Sequence, residues 1–209
     1  MKGGKLIHIE CSPRKKRSVS RKIAEKFIET YKRSNPDSEV ITIDLWSLDL
    51  PEYDEFAVSA KFKIFGGEDF SEEEQERWTI IEKLFNEFNS GDKYLFSVPM
   101  WNFSIPYKLK HYIDLITQPH LAFNAGENGY TGLVTGKPAV IIYACGGTYM
   151  EAPYKDYDLQ KPYMQEWLRF IGFTDIQEIR ADNTTASPQE REKSIANALQ
   201  NAEKVASVF

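Results

Sequence analysis

This sequence predicts an α/β fold, a parallel sheet covered on both faces by helices, on two observations. Short runs rich in β-branched and aromatic residues alternate with amphipathic helical segments along the whole chain. The run Val140, Ile141, Ile142 and Tyr143 has no polar alternation, the mark of a strand buried on both faces, as parallel sheets require. At 209 residues and 42% hydrophobic, the chain reads as one domain over residues 1–209, large enough to bury a substantial core.

Five strand candidates lie at residues 6–9, 40–45, 94–98, 139–145 and 176–179. Helical stripes fall between and after them. One is Ile23, Phe27, Ile28 and Tyr31; a second is Leu109, Tyr112, Ile113 and Ile116; a third is Met164, Trp167, Leu168 and Ile171. A fourth runs through Ile195, Leu199, Ala202 and Val205. A further helix is expected over residues 71–89, with Ser71 capping an acidic first turn at Glu72, Glu73 and Glu74. Residues 51–70, with Gly66 and Gly67 near their end, are the least regular stretch and read as a loop insertion with room for a short helix. Five strands alternating with five helices imply right-handed βαβ crossovers. The simplest result is a flavodoxin-like three-layer fold, its five-stranded parallel sheet in the order 2-1-3-4-5.

Several function classes fall away early. Twenty-six Lys and Arg against 31 Asp and Glu leave a net charge of -5, unlike the basic excess of a nucleic-acid binder. No run of about 18 uncharged apolar residues is present, so no membrane span is expected. Pro13 interrupts the N-terminal region before a signal peptide's apolar stretch could form. A soluble, cytoplasmic protein is the expectation. Cys11 and Cys145 are too few for a disulfide framework. At the ends of strands one and four they would lie about 10 Å apart, too far to bond. His8, His111 and His120 lack metal-ligand spacing, and neither H-E-x-x-H nor C-x-x-C occurs, so no metal is expected. G-x-G-x-x-G is absent as well.

In such a fold ligands bind beyond the carboxyl ends of the strands, where three loops should meet. The first, residues 11–20, carries Ser12, Ser18 and Ser20 and runs into a helix starting near Val19. Helix starts attract anions, and four consecutive cations at 14–17 add positive field. The bland alternative is a solvated basic turn with serine caps. The second loop, residues 99–106, places Met100, Trp101 and Phe103 beside the amide of Asn102. That suits a flat heterocycle with a hydrogen-bonding edge, or a lid on the core. In the third loop, residues 144–153, Gly146 and Gly147 permit close backbone approach and positive φ. Together the three loops suit a mononucleotide bearing a flat ring.

A competing reading uses the first loop alone. Cys11, Arg17 and Ser18 spell C-x5-R-S, which resembles the signature of low-molecular-weight tyrosine phosphatases. There a thiolate attacks phosphate within a cradle of backbone N–H groups. Here no glycine lies between Cys11 and Arg17, Pro13 removes a donor, and no Asp-Pro dipeptide supplies the general acid.

Taken together, S-x5-S-x-S at Ser12, Ser18 and Ser20, PMWNFSIPYKLKHYIDL at 99–115, ENGYTGLVTGKPAVII at 127–142, the glycine pair of 144–147 and FIGFTDI at 170–176 resemble the FMN-dependent NADH azoreductase and quinone oxidoreductase family, of flavodoxin-like fold. The resemblance runs through nearly the whole chain. It implies that Ser12, Ser18, Val19 and Ser20 hold the FMN phosphate. Met100, Trp101, Asn102 and Phe103 would border the isoalloxazine, and Ala144, Cys145, Gly146 and Gly147 would meet its pyrimidine end. Two positions depart from the family, where tyrosine is familiar at Trp101 and arginine can stand at Cys145. The implied activity is ping-pong two-electron transfer from NADH, through flavin N5, to quinones or azo compounds. FMN would be tightly bound, one per subunit, with no side chain acting as acid or base. A homodimer is implied too, with exposed Phe56, Phe62 and Phe65 as candidate contributors to its interface. A carrier of the same fold, holding FMN without a substrate of its own, is the alternative.

Overall fold

A computed structural model describes residues 4–209; residues 1–3 of the expected domain lie outside it. Its strands are β1 (Lys5–Glu10), β2 (Glu39–Asp44), β3 (Lys93–Pro99), β4 (Phe123–Gly126), β5 (Gly129–Gly132), β6 (Ala139–Ala144) and β7 (Ile176–Ala181). The helices are α1 (Val19–Ser34), α2 (Glu55–Gly66), α3 (Glu72–Asn89), α4 (Tyr107–Ile116), α5 (Gln160–Ile171) and α6 (Pro188–Ala206). Five strands pair in parallel in the order β2-β1-β3-β6-β7, while β4 and β5 form a separate antiparallel hairpin. Setting the hairpin aside, this is the expected 2-1-3-4-5 order.

Alternation along the strands divides the core in two. Leu6, Leu95, Val140, Ile142 and Ile179 pack with the apolar stripes of α1 and α6. Ile7, Ile9, Phe96, Ile141 and Tyr143 face the other way, onto α3, α4 and α5. Both clusters are fully buried at the central strands, so each strand must be apolar on both sides. His8, Glu10 and Ser97 are the polar exceptions; His8 sits at the β1 centre with its Nε2 3.0 Å from Ser97 Oγ and its Nδ1 3.3 Å from Thr42 Oγ1.

Burial holds the His8 imidazole neutral, its pKa lowered from 6.5 to about 3, with the Arg21 charge adding to the effect. Between these values the unfolded chain binds a proton that the folded chain refuses. Stability is therefore lost as pH falls from 6.5 towards 3, by at most about 1.4 kcal/mol per pH unit. Thermal melts of His8→Gln should show a shallower loss between about pH 6.5 and 5 than the native chain. Parallel acid profiles would mean that His8 is not held neutral.

Two elements depart from expectation. Residues 51–70 are not mainly loop: α2 occupies twelve of them. Asp54 caps it by accepting from the Ala57 N–H, and Gly67, at φ 67°, ends it in a left-handed turn. Its fully buried residues are only Ala57 and Ala60, with Ile64 packed part-buried behind them, which leaves little bulky stripe to mark a helix. Ser59 and Lys63 fasten it to α3 through Glu74, at 2.6 and 2.8 Å. The β4–β5 hairpin is the other addition, turning at Glu127 and Asn128. The expected Ser71 cap is present as a full capping box with Glu74.

Candidate functional site

The carboxyl edge of the sheet gathers the loops after β1, β3, β6 and β7. After β1 the chain makes one 3-10 turn, Lys15–Arg17, before α1 begins. Ser18 caps α1, its Oγ accepting from the Arg21 N–H at 3.3 Å and lying 3.2 Å from Ser20 Oγ. Ser12 Oγ accepts from the Arg14 N–H at 3.4 Å. The three serines are buried. The first turn of a helix has no acceptors for its own N–H groups; those of Val19 and Ser20 have none among the described residues and remain for an outside anion. The basic run is divided: Lys15 pairs with Asp44, while Arg14, Lys16 and Arg17 are exposed.

After β3, Trp101 and Ser104 exchange backbone hydrogen bonds at 2.8 and 3.0 Å, closing a tight loop over Asn102 and Phe103. Both of these have left-handed backbones, at φ 46° and 71°. For a bulky aromatic this is a strained conformation, of the kind that clusters at functional sites. The loop separates two clefts. Phe103 lines one of about 430 Å³ with Gly147, Tyr149, Tyr154, Tyr157 and Asn183. Trp101 and Asn102 line another of about 570 Å³ with Tyr107, Lys110, His111 and Tyr163. Trp101 leans on Trp46 and Tyr107, with ring centroids 5.7 and 6.4 Å away. Trp46 is itself anchored by donating to the Cys11 carbonyl at 3.0 Å. Met100 is half-buried, its N–H donating to the Ala144 carbonyl at 2.8 Å.

The loop after β6 is held by the loop after β7. Cys145 O accepts from the Thr184 N–H and hydroxyl, Gly146 O from those of Thr185, and Gly147 O from the Asn183 N–H, all at 2.9–3.2 Å. With the carbonyls so engaged, the N–H groups of Gly146 and Gly147 have no protein acceptor among the described residues. Neither glycine uses the positive φ that its type allows; the left-handed residue here is Asn183, at φ 58°. Ala144 and Cys145 are buried. The Cys145 N–H donates to Ala181 O and its thiol to Gln160 Oε1 at 3.4 Å, so this residue turns inward. Burial pushes that thiol's pKa up to about 12.

The phosphatase reading fails on Cys11. Its thiol is fully buried and donates to Ile9 O at 3.6 Å, and burial, with Glu10 and Asp44 adding repulsion, raises its pKa well above normal. Arg17 meanwhile is exposed. A thiol so placed neither ionises nor meets a phosphate ester.

Sequence reasoning missed Trp46, Tyr154, Tyr157 and Asn183. The aromatic pair had a signal in the tyrosine-rich run after the glycines. Asn183 had none beyond its place in a polar stretch following β7. Among the described residues no helix is long and apolar enough to cross a membrane.

Comparison with known proteins agrees with this geometry. A family model described as a flavodoxin-like fold matches residues 4–206. An FMN-dependent NADH:quinone oxidoreductase of Desulfotalea psychrophila is 48% identical over 195 residues, 93% of this chain and 92% of that one. FMN-dependent NADH:quinone oxidoreductase 3 of Pseudomonas fluorescens is 40% identical over 206 residues, 97% of this chain and 95% of that one. Among solved structures, an FMN-dependent NADH-azoreductase from Bacillus anthracis in complex with FMN superposes with a TM-score of 0.87. The two are 30% identical, with 98% of each chain covered. The chain belongs to the FMN-dependent NADH:quinone oxidoreductase and azoreductase family, of flavodoxin-like fold.

Proposed function

We propose that this chain is an FMN-dependent NADH:quinone oxidoreductase that also reduces azo compounds. One observation carries the reading: a helix start with free N–H groups, an aromatic-lined cleft and a glycine pair with free N–H groups share one sheet edge. The cleft volume of about 430 Å³ falls in the range of small-molecule sites. The relatives' names add the cofactor and the electron donor.

When bound, FMN supplies two-electron redox chemistry, so that NADH, a proton and a quinone become NAD⁺ and a hydroquinone. The protein's part is to bind and orient. Ser12, Ser18 and Ser20, with the N–H groups of Val19 and Ser20, would take the phosphate, the helix start favouring its charge by about 0.3–1 kcal/mol. Phe103 would border the ring, on the loop with Met100, Trp101 and Asn102, of which Trp101 and Asn102 also line the neighbouring cleft, and Tyr149 and Tyr157 would help exclude water from it. The N–H groups of Gly146 and Gly147 would donate to the ring's polar edge and favour negative charge there. No side chain is assigned a proton transfer.

Ser20→Ala should weaken FMN binding with little change in melting temperature. Ser18→Ala should also cost about 1 kcal/mol of stability, because it removes the α1 cap. Fluorescence titration and thermal melts of the two variants check this. Equal stability losses would contradict the division of roles.

We place the enzyme in the cytoplasm and infer that it works as a homodimer. Phe65 and Tyr130 both pack on Phe123 of the hairpin, and Phe62, one turn before Phe65 on α2, is like Tyr130 about two-thirds exposed, an apolar surface that a second subunit would cover. Phe56 is half-buried. Sedimentation of the native chain against Phe62→Lys tests the dimer.

Steady-state kinetics test the activity. NADH oxidation with a simple quinone, and no protein redox partner, should give parallel double-reciprocal lines. FMN-loaded protein that leaves NADH unoxidised would instead be a carrier.

A further inference from the structure

Next to Cys145, one residue before the glycine pair, lies a part-buried charge cluster that the binding scheme above does not use. Arg180, on β7, is 12% exposed in its side chain and reaches three segments of the cleft wall. Its Nη1 donates to Asp158 Oδ2 at 3.1 Å, and its Nη2 to Asp182 Oδ1 at 3.2 Å. The same Nη2 lies 3.7 Å from Cys145 Sγ, one residue before Gly146. Asp158 in turn accepts from the N–H groups of Gln160 and Lys161, at 3.1 and 3.0 Å, and so ties down the first turn of α5. Gln160 receives the Cys145 thiol and donates to Val98 O at 3.1 Å, which joins the cluster to the end of β3. The guanidinium carbon stands 5.6 Å from the Tyr143 ring centroid.

A buried Arg side chain costs desolvation energy that a purely apolar contact would avoid. Here it spans the ends of β6 and β7 and the start of α5, using a planar fork that an ammonium lacks. Its guanidinium sits behind Cys145 and borders a separate cleft of about 390 Å³ with Tyr149, Met150 and Lys155, shielded enough from solvent for its charge to act more strongly than in open water.

We propose that Arg180 is a positioning residue that locks the Gly146 and Gly147 backbone to the start of α5 and favours the reduced, more negative state of bound FMN. The proposal rests on the flavin reading above. Asp158 and Asp182 offset part of the field, so charge changes at the two ends of the pair should act in opposite directions.

The test measures FMN affinity and two-electron midpoint potential in the holoenzyme for the native chain, Arg180→Met, Arg180→Lys and Asp182→Asn. Arg180→Met should lose affinity for reduced FMN about tenfold more than for oxidised FMN, a fall of about 30 mV. Arg180→Lys should restore most of the potential while binding FMN more weakly than the native chain. Asp182→Asn should raise the potential, and it serves alone if Arg180→Met does not fold. A native potential in either Arg180→Met or Asp182→Asn would overturn the proposal, whatever happens to stability. A native chain that binds no FMN would overturn the flavin reading itself, and with it this role for Arg180.

Discussion

Replacing Gly146 with valine is expected to weaken FMN binding by about tenfold or more, at least about 1.4 kcal/mol. The cause lies behind the cleft. A Cβ built at Gly146 stands 3.1 Å from Thr185 Oγ1 and 3.5 Å from its Cγ2. Two valine methyl groups would press further into Thr185 and part the segments that Thr184 N–H and Thr185 N–H hold together, at 3.0 and 3.2 Å. The free N–H groups of Gly146 and Gly147 would then lose their aim. Adding Thr185→Ala removes the two nearest atoms and should return much of the affinity, a coupling that a double-mutant cycle reads directly. No recovery would mean that the valine blocks the ligand itself, the simpler reason for a glycine there.

Gly132→Ala is expected to be the most damaging of these changes to stability. Its Cβ would lie 2.3 Å from both Gly172 N and Ile171 C, which are backbone atoms at the end of α5. No rotamer relieves such a contact, so the hairpin or the helix end must move. Val134 N–H donates to Ile171 O at 2.8 Å beside it, and that bond would stretch. Overpacking of this kind costs about 1–3 kcal/mol, with the upper end expected here because backbone cannot repack. The melting temperature should drop by roughly 6–12 °C for about 3 kcal/mol in a chain of this size. A melt within a degree or two of the native chain would show that the hairpin is free to shift.

These two glycines mark what could and could not be read from sequence. The central sheet was legible because Ile141 and its neighbours are apolar on both faces, and the topology then put the ligand loops at one edge. The α2 helix was hidden because its inward face is mostly alanine, with Ile64 the one bulky residue packed against the core. The hairpin was hidden for a related reason: its eight strand residues bury only Phe123, so no alternation announces it, although Asn128-Gly129 is a turn signal. At the site, residue types suited to phosphate and ring were visible. Conformation was not. The left-handed backbones fall on Asn102, Phe103 and Asn183 instead of the glycine pair, and the need for glycine at 146 comes from Thr185, a residue 39 positions away. Cys145 has the right position in the chain for the flavin edge, yet its neighbours Gln160 and Arg180 draw it inward. Long-range packing of this sort leaves no local pattern.

We propose that the loops after β1, β3 and β6 hold one FMN between them. Fluorescence titration of FMN with the cofactor-stripped native chain reads this binding. Saturable quenching at one FMN per chain is expected, weakened in both Ser20→Ala and Gly146→Val. An absence of saturable quenching by the native chain, or variants that bind as it does, would contradict it.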